Sequence, residues 1–102
     1  MKLVIMLYLK EDDAVVAELL ERHGVAVYSR LPLEGHGTGM PGWYGEVAPY
    51  SSSMVFTVLD AARAEELLEA VALCTGCRDP SHPIHALQVD VERMADSGSA
   101  AQ

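Results

Sequence analysis

Residues 3–23 read LVIMLYLKEDDAVVAELLERH, and this stretch passes directly from a strand pattern into a helix pattern. Its first seven residues are an unbroken apolar run, which is typical of a strand covered on both faces. Asp12 or Asp13 can then cap a helix, whose apolar positions recur with helical spacing as far as His23. Gly24 supplies the left-handed stop at which such a helix ends.

The chain then repeats this order of elements. Alternating apolar residues at 25–33 predict a second strand, and Pro32 indicates that it lies at a sheet edge, because proline cannot donate a ladder hydrogen bond. Residues 54–59 predict a third strand. Asp60 can cap a second helix, and Gly76 is expected to end it.

A final alternating pattern at 87–91 predicts a half-buried fourth strand. The order strand–helix–strand, given twice, predicts an α+β ferredoxin-like βαββαβ fold, with a four-stranded antiparallel sheet and both helices on one face. We therefore expect one domain over residues 1–93 and a flexible tail over 94–102, whose residues are small and polar.

The other face of the sheet also needs cover. The runs at 3–9 and 54–59 are apolar on both sides, so an isolated chain would expose a large apolar patch. We expect a homo-oligomer that closes sheet on sheet.

Composition excludes several classes of function. The 102 residues include 15 acidic and seven basic ones, with a formal charge of −8 and no cluster of Lys and Arg, so nucleic-acid binding is not expected. No apolar run reaches about 18 residues and no secretory signal is recognisable, so we expect a cytoplasmic chain that is not inserted in a membrane. No Gly-x-Ser-x-Gly, Walker or His-Glu-x-x-His motif occurs, and we do not expect an enzyme.

The connection at residues 34–50 holds five of the eight glycines. So long a connection in a small domain is usually functional or mobile. Trp43 and Tyr44, at its middle, either pack on their own domain or anchor a partner. The Gly-His-Gly sequence at 35–37 could bring backbone amides close to an anion.

Residues 74–85 read CTGCRDPSHPIH and hold both cysteines and two of the four histidines. Four interpretations stay open: structural cysteines, a disulfide switch, a metal site, or direct ligand contact through Arg78 or a histidine. A helix C-terminus disfavours a thiolate, and the ligand pairs lie closer together than in zinc fingers. The metal or redox interpretation uses Cys74, Cys77, His82 and His85.

The order of these elements resembles the PII (nitrogen regulatory P-II) family of signal-transduction proteins and their PII-like relatives, over about residues 2–93. The sequence at 34–37 is similar to the Gly-aromatic-Gly that opens the family's mobile T-loop, and Thr-Gly at 75–76 to the start of its B-loop. Residues 89–92 match its last strand. The small trimeric CutA proteins share the fold but lack the long glycine-rich loop.

This resemblance implies a homotrimer with an adenine nucleotide in each cleft between subunits. The nucleotide would be held by the T-loop base, the second strand and the B-loop of one subunit, and by the C-terminal segment of its neighbour. The positions of this chain that match are Ser29, Gly35, His36, Gly37, Thr75 and Gly76, and more loosely Arg78, His85 and Arg93.

The chain departs from the family pattern at 77–80, where Cys-Arg-Asp-Pro replaces phosphate-binding lysines and glycines. Each lost charge-assisted contact costs about 1.5–3 kcal/mol, and a triphosphate loses most. The resemblance therefore implies AMP or ADP as effector rather than ATP, with bicarbonate as a further candidate ligand. It implies relay through 34–50 to a transporter or enzyme. The alternative is a metal- or redox-sensing PII-like regulator that uses the cysteine loop.

Overall fold

The computed structural model describes residues 1–37, 49–74 and 82–98. A short 3₁₀ turn (Lys10–Asp12) joins the first strand to the first helix. The regular elements are β1 (Lys2–Leu9), α1 (Asp13–Arg22), β2 (Ser29–Gly35), β3 (Tyr50–Leu59), α2 (Ala61–Leu73) and β4 (His85–Asp90). This is the ferredoxin-like βαββαβ order that the sequence predicts.

The four strands form one antiparallel sheet in the order β2-β3-β1-β4. The long apolar strands β1 and β3 are central, and β2 is an edge strand, as Pro32 predicts. In the middle of the sheet Val4 lies opposite Thr57 on β3 and Gln88 on β4. This register decides which side chains face the helices.

The core lies between the sheet and the two helices. Val4, Met6 and Tyr8 of β1 are fully buried there. The helices contribute the other side of the core, principally Val16, Leu19, Leu20, Ala64 and Leu67. Since the buried β1 residues alternate, one face of the sheet is covered by helices and the other is not.

The two helices begin differently. Asp60 has extended backbone and its side chain accepts a hydrogen bond from Arg63 N at 2.9 Å, as expected of a cap. Asp12 precedes α1 but makes no capping hydrogen bond, and Asp13 is already the first residue of the helix, so the predicted cap by Asp12 or Asp13 is wrong. The 3₁₀ turn holds Asp12 at φ −95° and ψ 10°, outside the extended region that a capping side chain needs.

The end of α1 follows the prediction. Gly24 has φ +72°, the left-handed conformation of a helix stop. Its carbonyl oxygen accepts a hydrogen bond from Arg63 Nη2 at 2.6 Å, which ties α1 to the start of α2. Glu18 and Arg22 pair across one turn at 2.9 Å, on the exposed side.

The second strand begins later than predicted. Its ladder with β3 starts at Ser29, and residues 25–28 lie outside it. Val25 is buried in the core, but Val27 is exposed, and its carbonyl oxygen is bound by Thr57 Oγ1 at 2.7 Å instead of by a strand partner. The strand continues to Gly35, two residues beyond the predicted end.

The second helix ends earlier than predicted. Its last residue is Leu73, and Cys74 has extended backbone (φ −66°, ψ 108°), so Gly76 is not the stop. Gly76 itself lies outside the described residues. The last strand runs over His85–Asp90, so it begins two residues and ends one residue before the predicted 87–91. Val91 N donates to Met1 O at 3.2 Å.

The sheet face away from α1 and α2, here called the open face, is apolar throughout its centre. Its residues follow from the register: Leu3, Ile5, Leu7, Leu31, Leu33, Met54, Phe56, Val58, Leu87 and Val89. Six of these side chains are 36–46 % exposed, two on each of three strands: Leu31 and Leu33 on β2, Phe56 and Val58 on β3, and Leu87 and Val89 on β4. Leu87 and Val89 thus belong to the open face, and Ala86 packs on the core instead.

Two further expectations concern the outer parts of the chain. Among the described residues, no helix has the length and apolar character that crossing a bilayer demands. Residues 91–98 follow the last strand without helix or strand. The domain boundary at residue 93 and the flexibility of the tail stay predictions.

Candidate functional site

The predicted T-loop base is built on a contact between two strands. Gly35 ends β2 directly opposite Tyr50, the first residue of β3. The Tyr50 ring lies on Gly35, and a Cβ at that position would overlap the ring atoms. An aromatic ring over a cross-strand glycine is a known way to fill the space that the missing side chain leaves. Gly35 is therefore required by packing, which the sequence analysis missed.

The next two residues leave the sheet. Gly37 has φ +125°, a conformation that side-chain-bearing residues rarely adopt, and no described atom lies within 4 Å of where its Cβ would be. His36 is exposed, and its Nε2 lies 2.7 Å from Glu34 Oε2. A ligand anion at His36 would have to compete with this carboxylate.

Ser29 lies at the other end of β2. It is exposed, opposite Phe56 on β3, and six residues before Gly35. At about 3.3 Å per residue the two positions are about 20 Å apart. The predicted ligand residues of β2 are therefore spread along the edge strand and do not converge on one point.

The second group of predicted residues lies at the β4 edge. Cys74 follows α2, and His85 begins β4 opposite Leu7 of β1. His82 Nδ1 lies 3.2 Å from Asp12 Oδ2 and 3.6 Å from Glu11 Oε1. The Asp12 carboxylate does not cap α1. It instead contacts His82, in the segment that leads into β4.

The sheet order separates these two groups. From β2 to β4 there are three strand spacings, or about 14 Å. Arg93 is exposed and follows the far end of β4, where Lys2 binds Asp90 and lowers the pKa of that carboxyl. Thr75, Gly76, Cys77 and Arg78 lie outside the described residues. Within one chain, the described candidate residues lie in separate places.

The cysteine loop is described only in part. Cys74 takes part in a disulfide, and Cys77, the only other cysteine of the chain, lies outside the described residues. A sulfur in a disulfide is not the thiolate that a metal needs. In the described ranges, no three His, Cys, Asp or Glu side chains are grouped to hold a metal ion.

No family model and no curated protein matches the sequence. Solved structures do match. A protein described as PII-like and signalling, from Thermus thermophilus, superposes with a TM-score of 0.65 over 88 % of this chain and 85 % of its own, at 18 % identity. The chain has the fold of the PII-like proteins.

A second structure of this fold holds ligands. CPII, a nitrogen regulatory PII-like protein from Thiomonas intermedia K12, is bound to ADP, AMP and bicarbonate. It matches with a TM-score of 0.58 and 19 % identity, over 90 % of this chain and 94 % of its own.

The PII-like protein CutA from Nostoc sp. PCC 7120, in its apo form, matches equally well. Its TM-score is 0.63 at 19 % identity, over 90 % of this chain and 82 % of its own. Superposition of the fold therefore does not separate CutA from the signalling proteins. The loop at 34–50 stays the feature by which the sequence analysis expects to distinguish them, and its residues 38–48 lie outside the described part.

Proposed function

We propose that this protein is a cytoplasmic PII-like signalling regulator that binds AMP or ADP between the subunits of a homotrimer. The nucleotide state is relayed through residues 34–50 to a transporter or enzyme, and the protein itself catalyses no reaction. The observation that carries this proposal is the PII-like fold, which a structure holding ADP, AMP and bicarbonate shares.

The start of the 34–50 segment supports a ligand site. Gly35 is fixed under the Tyr50 ring, and two residues later Gly37 has no described atom within 4 Å of where its Cβ would be. A glycine held by packing, followed by a glycine with positive φ, suits the base of a loop that reorganises around an anion. His36, between the two glycines, adds a group that can carry positive charge.

The separation of the two groups supports a site between subunits. One chain holds the predicted ligand residues at opposite sheet edges, so a ligand that contacts both needs a second copy. In a closed ring of identical copies, one edge of each subunit faces a different edge of the next. The apolar open face supplies a reason for the copies to associate.

The charges near the site favour a ligand with few phosphates. Glu34 sits against His36, and the whole chain carries a formal charge of −8. Each additional phosphate must be brought into this negative environment with few cations to pair with it. We therefore expect AMP and ADP to bind more tightly than ATP.

Isothermal calorimetry with AMP, ADP and ATP, with and without bicarbonate, tests the proposal on reduced, metal-free protein whose assembly has been verified. We expect binding of AMP or ADP, weakened roughly tenfold in His36→Ala through loss of one charge-assisted contact. His23→Ala, an exposed histidine after α1, is the matched control and should bind as the parent does. No heat with any nucleotide ends the proposal.

A redox-sensing regulator on the same fold is the second candidate, favoured by the disulfide at Cys74. The same titration, repeated on oxidised and reduced protein, distinguishes it. A change of affinity on oxidation that is absent in Cys74→Ser supports redox control of the site. Equal affinities in both states leave the disulfide a structural feature only.

A further inference from the structure

The 3₁₀ turn between β1 and α1 (Lys10–Asp12) adjoins the predicted T-loop base on one side. There it borders a surface depression of about 430 Å³, which Tyr50 and Ser51 also line. Tyr50 is the residue whose ring lies on Gly35. The turn is therefore a neighbour of the β3 residue that packs on the predicted T-loop base.

On its other side the same turn holds the segment that leads into β4. Asp12 Oδ2 lies 3.2 Å from His82 Nδ1, and Glu11 Oε1 lies 3.6 Å from the same nitrogen. An ionised carboxylate can only accept hydrogen bonds, so in the Asp12 contact the imidazole Nδ1–H is the donor. Three residues later His85, a candidate ligand residue, begins β4 opposite Leu7.

The contact between Asp12 and His82 is partly shielded from water. The Asp12 side chain is 19 % exposed and that of His82 is 27 % exposed. A shielded hydrogen bond to a charged acceptor is stronger than one between neutral groups. Since Asp12 makes no capping hydrogen bond to α1, removing its carboxylate costs that helix no cap. The contact therefore serves the segment before β4 rather than the helix.

We propose that Asp12 is a positioning residue of the ligand site and acts through His82. The hydrogen bond fixes which ring nitrogen of His82 carries the proton and how the imidazole is oriented. It also fixes the path by which the chain enters β4, and with it the place of His85. Asp12 itself does not contact the ligand, and this inference rests on the proposed nucleotide binding.

Calorimetric titration of the assembled, metal-free protein with AMP and with ADP tests the proposal. Asp12→Ala removes the acceptor and should weaken binding about tenfold. Asp12→Asn keeps a side-chain oxygen that can accept from Nδ1–H, so its affinity should stay within about threefold of the parent. Glu18→Ala is the matched control, because it removes an acidic residue of α1 whose exposed ion pair is with Arg22. It should bind as the parent does.

The same titration in a His82→Ala background separates positioning from a general structural effect. With the partner of Asp12 already removed, Asp12→Ala should change the affinity by less than about twofold, because the two residues act as one unit. Denaturant unfolding of each variant verifies that the titrated protein is folded.

Three results would overturn the proposal: parent affinity in Asp12→Ala, an Asp12→Asn protein as weak as Asp12→Ala, or an equal loss from Asp12→Ala in the His82→Ala background. A parent protein that binds neither nucleotide would instead refute the proposed function. A parent protein that binds, together with an Asp12→Ala variant that matches it, would refute this inference alone.

Discussion

At the scale of single residues, Tyr8 carries the largest electrostatic perturbation among the described side chains for which a shift is resolved. Its hydroxyl is removed from water and faces the Asp13 carboxylate, and both conditions oppose the charged phenolate. The pKa of Tyr8 in the folded protein is therefore well above its ordinary value. The Tyr8 phenol therefore stays protonated in the folded chain at alkaline pH values at which it would ionise in an unfolded chain.

We predict that this residue makes stability fall as the pH rises above about 10, the ordinary pKa of tyrosine. There the unfolded chain loses the Tyr8 proton while the folded chain keeps it, so the free energy of unfolding decreases with pH. The slope from one residue approaches about 1.4 kcal/mol per pH unit. Denaturant unfolding at about pH 9 and about pH 11 measures it, and Tyr8→Phe should show the smaller loss. Equal losses in both proteins would contradict the prediction.

The roles of single residues were also the part of the structure that the sequence predicted least well. Asp12 has the residue type and position of a cap, but its role is decided by the 3₁₀ turn before α1 and by His82, 70 residues later. The Gly-His-Gly pattern predicts a loop-opening glycine at Gly35, whereas its contact with Tyr50 depends on the register of β2 and β3. Both roles depend on contacts between distant parts of the chain, which no local pattern contains.

At the scale of elements, the start of α2 shows what a correctly placed cap does. Asp60 has the extended backbone of a cap and accepts the hydrogen bond of Arg63 N. This satisfies one of the amides that the first turn of any helix leaves without an internal partner. The negative charge also lies at the positive end of the helix dipole.

We predict that Asp60→Ala lowers the free energy of unfolding by about 1 kcal/mol, the usual cost of a lost cap. Asp60→Asn is the matched control, because asparagine caps nearly as well without the charge, and it should lose only a few tenths of this. Urea midpoints at constant m-value measure both. An equal loss in the two variants would assign the effect to charge rather than to capping.

The order and type of the elements could be predicted because apolar periodicity is a local property of the chain. Their ends could not be predicted as well. The start of β2 is set by where β3 stops pairing with it, at Phe56, and not by the alternation that begins at residue 25. Alternation at 87–91 correctly indicates a strand, but which of its faces meets the core depends on the helices, so Leu87 and Val89 lie on the open face.

At the scale of the whole molecule, two properties act against each other. The open face favours association, because it exposes leucine, valine and phenylalanine side chains from β2, β3 and β4. The formal charge of −8 per chain opposes association through repulsion. Burial of a contiguous apolar face is not weakened by salt, whereas repulsion between surface charges is screened, so moderate salt should favour the assembled form.

We predict that the protein assembles through the open face into a particle of about three times the 11.0 kDa chain mass. Phe56→Glu places a carboxylate in the middle of that face, where burial without a partner would cost several kcal/mol per subunit, and should yield a monomer. Val27→Glu is the matched control, since Val27 is equally apolar but lies outside the sheet and is 84 % exposed. Sedimentation equilibrium of the three proteins measures their masses. A monomeric parent protein would show that the open face does not drive association. A parent protein of twice the chain mass would rule out the trimer. A Phe56→Glu particle as large as the parent would place the interface on another surface.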